Sequence, residues 1–160
     1  MTELKDIKLI ISEVDGIITD GLSGMGEMDI TMFKQFYIKD FEAINRIKKH
    51  WLFVFLSADA SISMSLCRKR NIPFYFSERN KKEAYTKILQ RYNILADDVF
   101  YVGSTYSDVP CMRESGFSIC PEDATLPVKN NSDLIVPLMS GTGVLCYVYD
   151  FLSDNLLRMV

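Results

Sequence analysis

Three stretches of this chain, "IKLIISEV", "WLFVFLS" and "DVFYVGS", are apolar almost without interruption over the length of a β-strand. A strand with one wet face alternates apolar and polar residues, so strands like these must be covered on both sides. Covering both faces requires helices above and below a parallel sheet, and the intervening segments supply them. "DFEAINRIKKH" places Phe41, Ile44 and Ile47 at helical spacing. "DASISMSLCRKRN" reads as a helix, with Asp59 or Ser61 as its candidate N-cap. "KKEAYTKILQRYNI" carries Ala84, Ile88 and Tyr92 along one side, and "SDVPCMRESG" predicts a short helix closed by Gly116. Further strands are expected at "IPFYFS", "FSICP" and "DLIVPL", with a brief helix near "DATLPVKNN" and a last one from about Val144 to Leu157. This alternation predicts a doubly wound, mostly parallel α/β sheet.

At 160 residues, with no repeat and no Pro-, Gly- or Ser-rich linker, the expectation is one domain with one core. A formal charge of -3 gives no electrostatic ground for nucleic acid as a partner. Every apolar run stops well short of the roughly 18 residues that span a bilayer, and the start lacks a signal-cleavage pattern. A cytoplasmic protein away from membranes is expected. Cys67, Cys111, Cys120 and Cys146 contain no CxxC pair and are expected to be reduced and packed.

One segment breaks the alternation. "IITDGLSGMGEMDITMFKQFYIKD", over about residues 17–38, predicts a projecting β-hairpin, with Gly24, Met25 and Gly26 as its turn. Met25, Met28 and Met32, with the stripe Phe33, Phe36 and Tyr37, are apolar side chains on a projecting element. They serve either as core or as a subunit interface.

Ligands of such sheets bind at the C-terminal strand ends. Glu13 and Asp15 follow the first strand, Ser57 and Ala58 the second, and Gly103 and Asp108 the fourth, while Lys81 opens a helix nearby. Carboxylates suit Mg²⁺, and a hydroxyl and an ammonium suit phosphoryl oxygens. Each also has a plainer reading: Asp15 as a turn cap beside Gly16, Ser57 as an ordinary strand-end hydroxyl, Lys81 as a solvated lysine like Lys82, and Asp108 as a helix N-cap. His50, the single histidine, reads as a surface or C-cap residue.

The order "EVDGIITDG … LSAD … NKKEAY … VGSTYSDVPCM" resembles the haloacid dehalogenase superfamily. It is most similar to the cap-less branch of 3-deoxy-manno-octulosonate 8-phosphate phosphatases and the related C-terminal domain of vertebrate sialic-acid cytidylyltransferases. The resemblance extends over nearly the whole chain, including the hairpin, Asp123-Ala124, Gly141 and Gly143. It implies a three-layer Rossmann-like domain with a hairpin flap, and a homotetramer assembled through that flap. Catalytic roles fall on Glu13, Asp15, Ser57 and Lys81, Mg²⁺ on Glu13, Asp15 and Asp108, and a sugar phosphate on Ser57, Ala58 and Lys81.

The chain also departs from the pattern. Glu13 stands where the nucleophilic aspartate is expected, one methylene longer, and a misplacement of about 1 Å can cost on the order of 100-fold in rate. Ser104 and Thr105 replace two aspartates, leaving Asp108. Asp59 puts negative charge beside the expected substrate anion, and Thr142 and Cys146 stand where the family places arginines. All these changes act against Mg²⁺-dependent phosphate cleavage. Two functions remain open: a phosphomonoesterase of weak or lost activity, or a non-catalytic oligomer supporting or regulating a sialic- or octulosonic-acid enzyme.

Overall fold

The apolar runs become adjacent strands of one sheet. A computed structural model describes residues 4–157. Strands β1 (Leu9–Ser12), β4 (Leu52–Ser57), β5 (Phe74–Phe76), β6 (Val99–Val102), β7 (Phe117–Pro121) and β8 (Leu134–Val136) form a six-stranded sheet in the order β5-β4-β1-β6-β7-β8. Every pairing in it is parallel. Strands β2 (Gly24–Met25) and β3 (Thr31–Phe33) pair antiparallel as the separate hairpin.

Side chains of β1 alternate between two apolar layers. Ile10 joins Phe41, Ala43, Ile44 and Ile47 of α1 (Ile38–Ile47), Cys67 of α2 (Ser63–Lys69) and Val144, Leu145, Val148 and Leu152 of α6 (Val144–Leu152). Leu9 and Ile11 face Tyr85 and Ile88 of α3 (Lys81–Tyr92), Met112 of α4 (Val109–Met112) and Val128 of α5 (Leu126–Lys129). The fold is the expected three-layer α/β arrangement. Cys67, Cys111 and Cys120 are buried free thiols, and Cys146 is half-buried and free.

Several local expectations need correction. Helix α2 starts at Ser63, after Ile62, with no side-chain cap. Asp59 instead accepts the Ser61 amide at 2.8 Å within the preceding loop. Ile62 has a φ of 62°, and the Ser63 amide reaches the Ser61 carbonyl at 2.5 Å, a tight turn that precludes earlier helix. The stripe of α3 also takes in Tyr85, buried with Ile88, while Ala84 and Tyr92 pack partly buried against the same layer. Gly116 is not a left-handed helix stop. It is small because a Cβ there would lie 1.8 Å from the Asp97 carbonyl oxygen.

In the hairpin, Gly24 and Met25 are strand, and the turn is the following 3-10 segment Glu27–Asp29, where Met28 and Asp29 take positive φ. Gly24 is cleared for the Phe33 ring, which would meet a Cβ at 2.1 Å. Helix α6 ends at Leu152 and continues as a π-helical turn, Ser153–Leu157.

Candidate active site

The three central strands end at one edge: Ser12 of β1 is in register with Phe55 of β4 and Val102 of β6, and β4 runs two residues further, to Ser57. Their continuations bring Glu13, Ser57 and the loop Gly103-Ser104-Thr105 to one edge. Asn80 caps α3 by accepting the Glu83 amide at 3.0 Å, which fixes Lys81 as the first helical residue beside them.

Lys81 is not a solvated lysine. It is 3% exposed, and its ammonium is ion-paired with Glu13 Oε2 and, at 2.7 Å, with Asp108 Oδ1. Its neighbour Lys82 instead reaches out to Glu114. Glu13 is also 3% exposed, and its second oxygen accepts the Val14 amide at 2.8 Å. Burial pushes the Glu13 carboxyl up, against the opposing pull of Lys81 and Ser57. Burial also works against the Lys81 ammonium, but Asp108 and Glu13 outweigh it, so its pKa is raised.

Asp108 is fully buried and saturated with donors. Oδ1 takes Lys81 and the Tyr101 hydroxyl at 2.8 Å. Oδ2 takes the Ser104 and Thr105 amides, both at 2.9 Å, and the Thr105 hydroxyl at 3.3 Å. Together Thr105 and Asp108 form a capping box at the turn Tyr106–Asp108. Asp108 therefore stands before α4 without capping it by its side chain, a correction to the capping expectation: the cap is Thr105, and the Asp108 carboxylate answers it from the third position. Burial, with Asp108 beside it, pushes the Tyr101 hydroxyl well above its ordinary value.

Asp15 lies at the rim. Oδ1 accepts the Thr19 hydroxyl at 3.1 Å and Oδ2 accepts Lys34 at 2.7 Å. The turn at Gly16 is closed by Thr19, whose hydroxyl accepts the Gly16 amide at 3.3 Å, rather than by Asp15. The Asp15 carbonyl accepts the Ser104 hydroxyl at 2.9 Å. Ser57 is buried, and its hydroxyl oxygen accepts the Asp59 amide at 3.3 Å; Ala58 is half-buried in the same loop. Ser140 reaches from the loop before α6 to Asp123 and to the Gly16 carbonyl, both at 2.7 Å, and so clamps the first loop from behind. His50 is exposed against Trp51, just before β4 and so at the opposite end of that strand from Ser57.

Sequence reasoning missed Lys34. Its side chain is fully buried, and it bridges Asp15 and Asp59, the latter at 2.8 Å. The residue lies within "KQFYIKD", but the irregular hairpin alternation does not say which way it points.

The divalent-cation expectation can be tested on these donors. Two oxygens of Asp108 are consumed, both oxygens of Glu13 have partners, and the Asp15 carbonyl is occupied by a hydroxyl. Among the described residues, no three His, Cys, Asp or Glu side chains are grouped so as to hold a metal ion. This set does not fit a tight Mg²⁺ site, which is usually anchored by one or two carboxylates in near-octahedral order.

A family model for haloacid dehalogenase-like hydrolases matches residues 23–148. The 3-deoxy-D-manno-octulosonate 8-phosphate phosphatase of Salmonella typhi is 28% identical over 155 residues, covering 95% of this chain and 82% of that protein. The Escherichia coli K12 enzyme of the same description is 26% identical over 163 residues, with the same coverage. Among solved structures, the Moraxella catarrhalis phosphatase in complex with magnesium, phosphate and KDO superposes with a TM-score of 0.88 at 22% identity, covering 97% of this chain and 90% of its own. The cobalt-bound phosphatase of Haemophilus influenzae gives 0.87 at 24% identity, covering 95% and 90%. No described helix is long and apolar enough to cross a membrane.

Proposed function

Since the chain belongs to the haloacid dehalogenase-like hydrolase family, we propose that it is a relative of the keto-sugar-phosphate phosphatases whose Mg²⁺-dependent phosphomonoesterase activity is weak or lost. The observation that carries this reading is the saturation of Asp108 together with the Ser104 hydroxyl on the Asp15 carbonyl. Solved relatives hold magnesium or cobalt, but the carboxylates gathered here give an ion few free oxygens, so Mg²⁺ binding is weakened. Glu13 in the nucleophile's place is held by Lys81 and Val14 rather than free to attack. Four carboxylates (Glu13, Asp15, Asp59 and Asp108) face two ammoniums, a formal charge of -2 that repels a phosphate dianion.

The test is turnover of p-nitrophenyl phosphate and of keto-sugar phosphates with added Mg²⁺. Rates at background, unchanged in Glu13→Gln, are expected. Mg²⁺-dependent turnover that disappears in Glu13→Gln would refute the reading.

A second reading concerns assembly, and the hairpin favours it. Met25, Met28, Ile30, Met32 and Phe33 are exposed there, Met28 at 86%. Such a concentration of large apolar side chains on one projection calls for a covering surface, and a homotetramer built through the flap would supply one. In that form the domain would serve as an oligomeric module supporting or regulating a sialic- or octulosonic-acid enzyme. Size-exclusion chromatography tests it: Met28→Asp with Met32→Asp should reduce the oligomer to smaller species. A wild type that already runs as a monomer would remove this reading.

A further inference from the structure

From the buried Lys34 ammonium and its two carboxylate partners, we infer that Asp59 is an internal anion that occupies Lys34 and so decides which ligands the pocket admits. The inference rests on reading the pocket as a degenerate phosphate site. Lys34 enters from the base of the hairpin, where the Tyr37 amide donates to the Ile18 carbonyl and Thr19 bridges Phe36. Those main-chain contacts fix the lysine's root. Its ammonium then meets Asp15 on the first loop and Asp59 on the loop after β4.

Asp59 is positioned for this task. One carboxylate oxygen is tied to the Ser61 amide, and its own amide is tied to Ser57. The other oxygen accepts the Lys34 ammonium at 2.8 Å. The loop behind it is closed by the tight turn at Ile62. An exposed lysine–carboxylate pair contributes little, but Lys34 has no side-chain exposure, so its charge is neutralised from within. Burial alone would raise the Asp59 carboxyl, yet the hydrogen bonds from Lys34 and Ser61 hold it below its ordinary value, which keeps it charged.

The two ammoniums able to grip an anion are thus both engaged. Lys81 holds Glu13 and Asp108, and Lys34 holds Asp15 and Asp59. The Lys34–Asp59 contact can be removed without stripping a buried charge of its last partner, because Asp15 remains on Lys34 and Asp59 is the most exposed of the four carboxylates. Asp59→Asn is nearly isosteric and keeps an oxygen for the Ser61 amide, so the fold should be retained. It frees one donor of Lys34 and removes one negative charge from the rim.

The experiment is titration of the protein with inorganic phosphate in metal-free buffer, followed by amide chemical shifts. Wild type should bind only weakly. Asp59→Asn should bind roughly tenfold or more tightly, the scale expected when a like charge a few ångströms from the anion is removed. Lys34→Met in the Asp59→Asn background should abolish the gain. A folded Asp59→Asn protein that binds no better than wild type would overturn the inference, as would a gain that survives Lys34→Met. Turnover by the wild type with Mg²⁺ would overturn the loss-of-activity reading instead, and leaves this affinity ratio as the judge of Asp59.

Discussion

Replacing Lys81 with methionine removes the one positive charge from between two buried carboxylates. The substitution keeps the length and most of the apolar volume of the side chain, so packing changes little. What remains is Glu13 at 3% exposure and Asp108 at 0%, with no ammonium between them. Breaking a buried pair by deleting one partner costs about 3–5 kcal/mol, and at about 2–4 °C per kcal/mol for a domain of this size the melting temperature should fall by roughly 6–20 °C at neutral pH. The loss should also depend on pH. Burial already raises the Glu13 carboxyl, and removing Lys81 takes away the largest influence that lowers it. A raised carboxyl contributes stability below its unfolded pKa and loses it as pH rises through the folded one. The deficit of Lys81→Met should therefore shrink as the buffer is made acidic. Calorimetric melting from about pH 5 to 8 measures this, with Lys82→Met as the control. Lys82 pairs with Glu114 at the surface, where such a contact contributes at most about 1 kcal/mol. If Lys81→Met melts like Lys82→Met across that range, the buried ion cluster is not what holds these loops together.

Two further substitutions probe other parts of the fold. Asp40 is fully buried where α1 meets the start of α6, with one oxygen on the Cys146 amide and the other without a partner; burial raises its pKa to about 6. Its contribution is present in acid and lost as pH rises through about 6, so Asp40→Asn should change stability little near pH 4 and raise it by roughly 2–3 kcal/mol near pH 7.5 in urea melts. A gain that does not vary with pH would refute the assignment. Gly116→Ala would drive a methyl group into the Asp97 carbonyl and should destabilise the chain by about 1–3 kcal/mol, whereas a neutral result would mean the β7 approach is soft.

The sheet and its layers were legible because "IKLIISEV", "WLFVFLS" and "DVFYVGS" leave no wet face, and period alone then dictates which residues enter each layer. The residues at the strand ends were legible for the same reason, since a parallel sheet gathers them at one edge. Less could be read where a single residue's conformation depends on a distant contact. The Asp59 loop looked like a helix start, but its carboxylate is drawn to Lys34, some distance back in the chain. Gly116 looked like a helix stop because glycine usually is one there, whereas a carbonyl from another segment sets its size. Gly24 and Gly26 suggest a hairpin turn earlier than the observed Glu27–Asp29 segment, because Gly24 is spent on accommodating Phe33. Lys34 needed three dimensions to find. It follows a hairpin strand rather than a strand of the parallel sheet, and only the folded hairpin carries its ammonium to the rim.

Titration calorimetry of the wild-type protein with Mg²⁺, beside a Ser104→Asp variant, is the most direct measurement of whether this pocket has given up its metal. No saturable heat from the wild type at millimolar Mg²⁺, and tighter binding once the carboxylate is added, is the predicted result. Stoichiometric wild-type binding with a dissociation constant well below about 1 mM would contradict it, because carboxylates already occupied by Lys81, Tyr101 and main-chain amides could not supply that affinity.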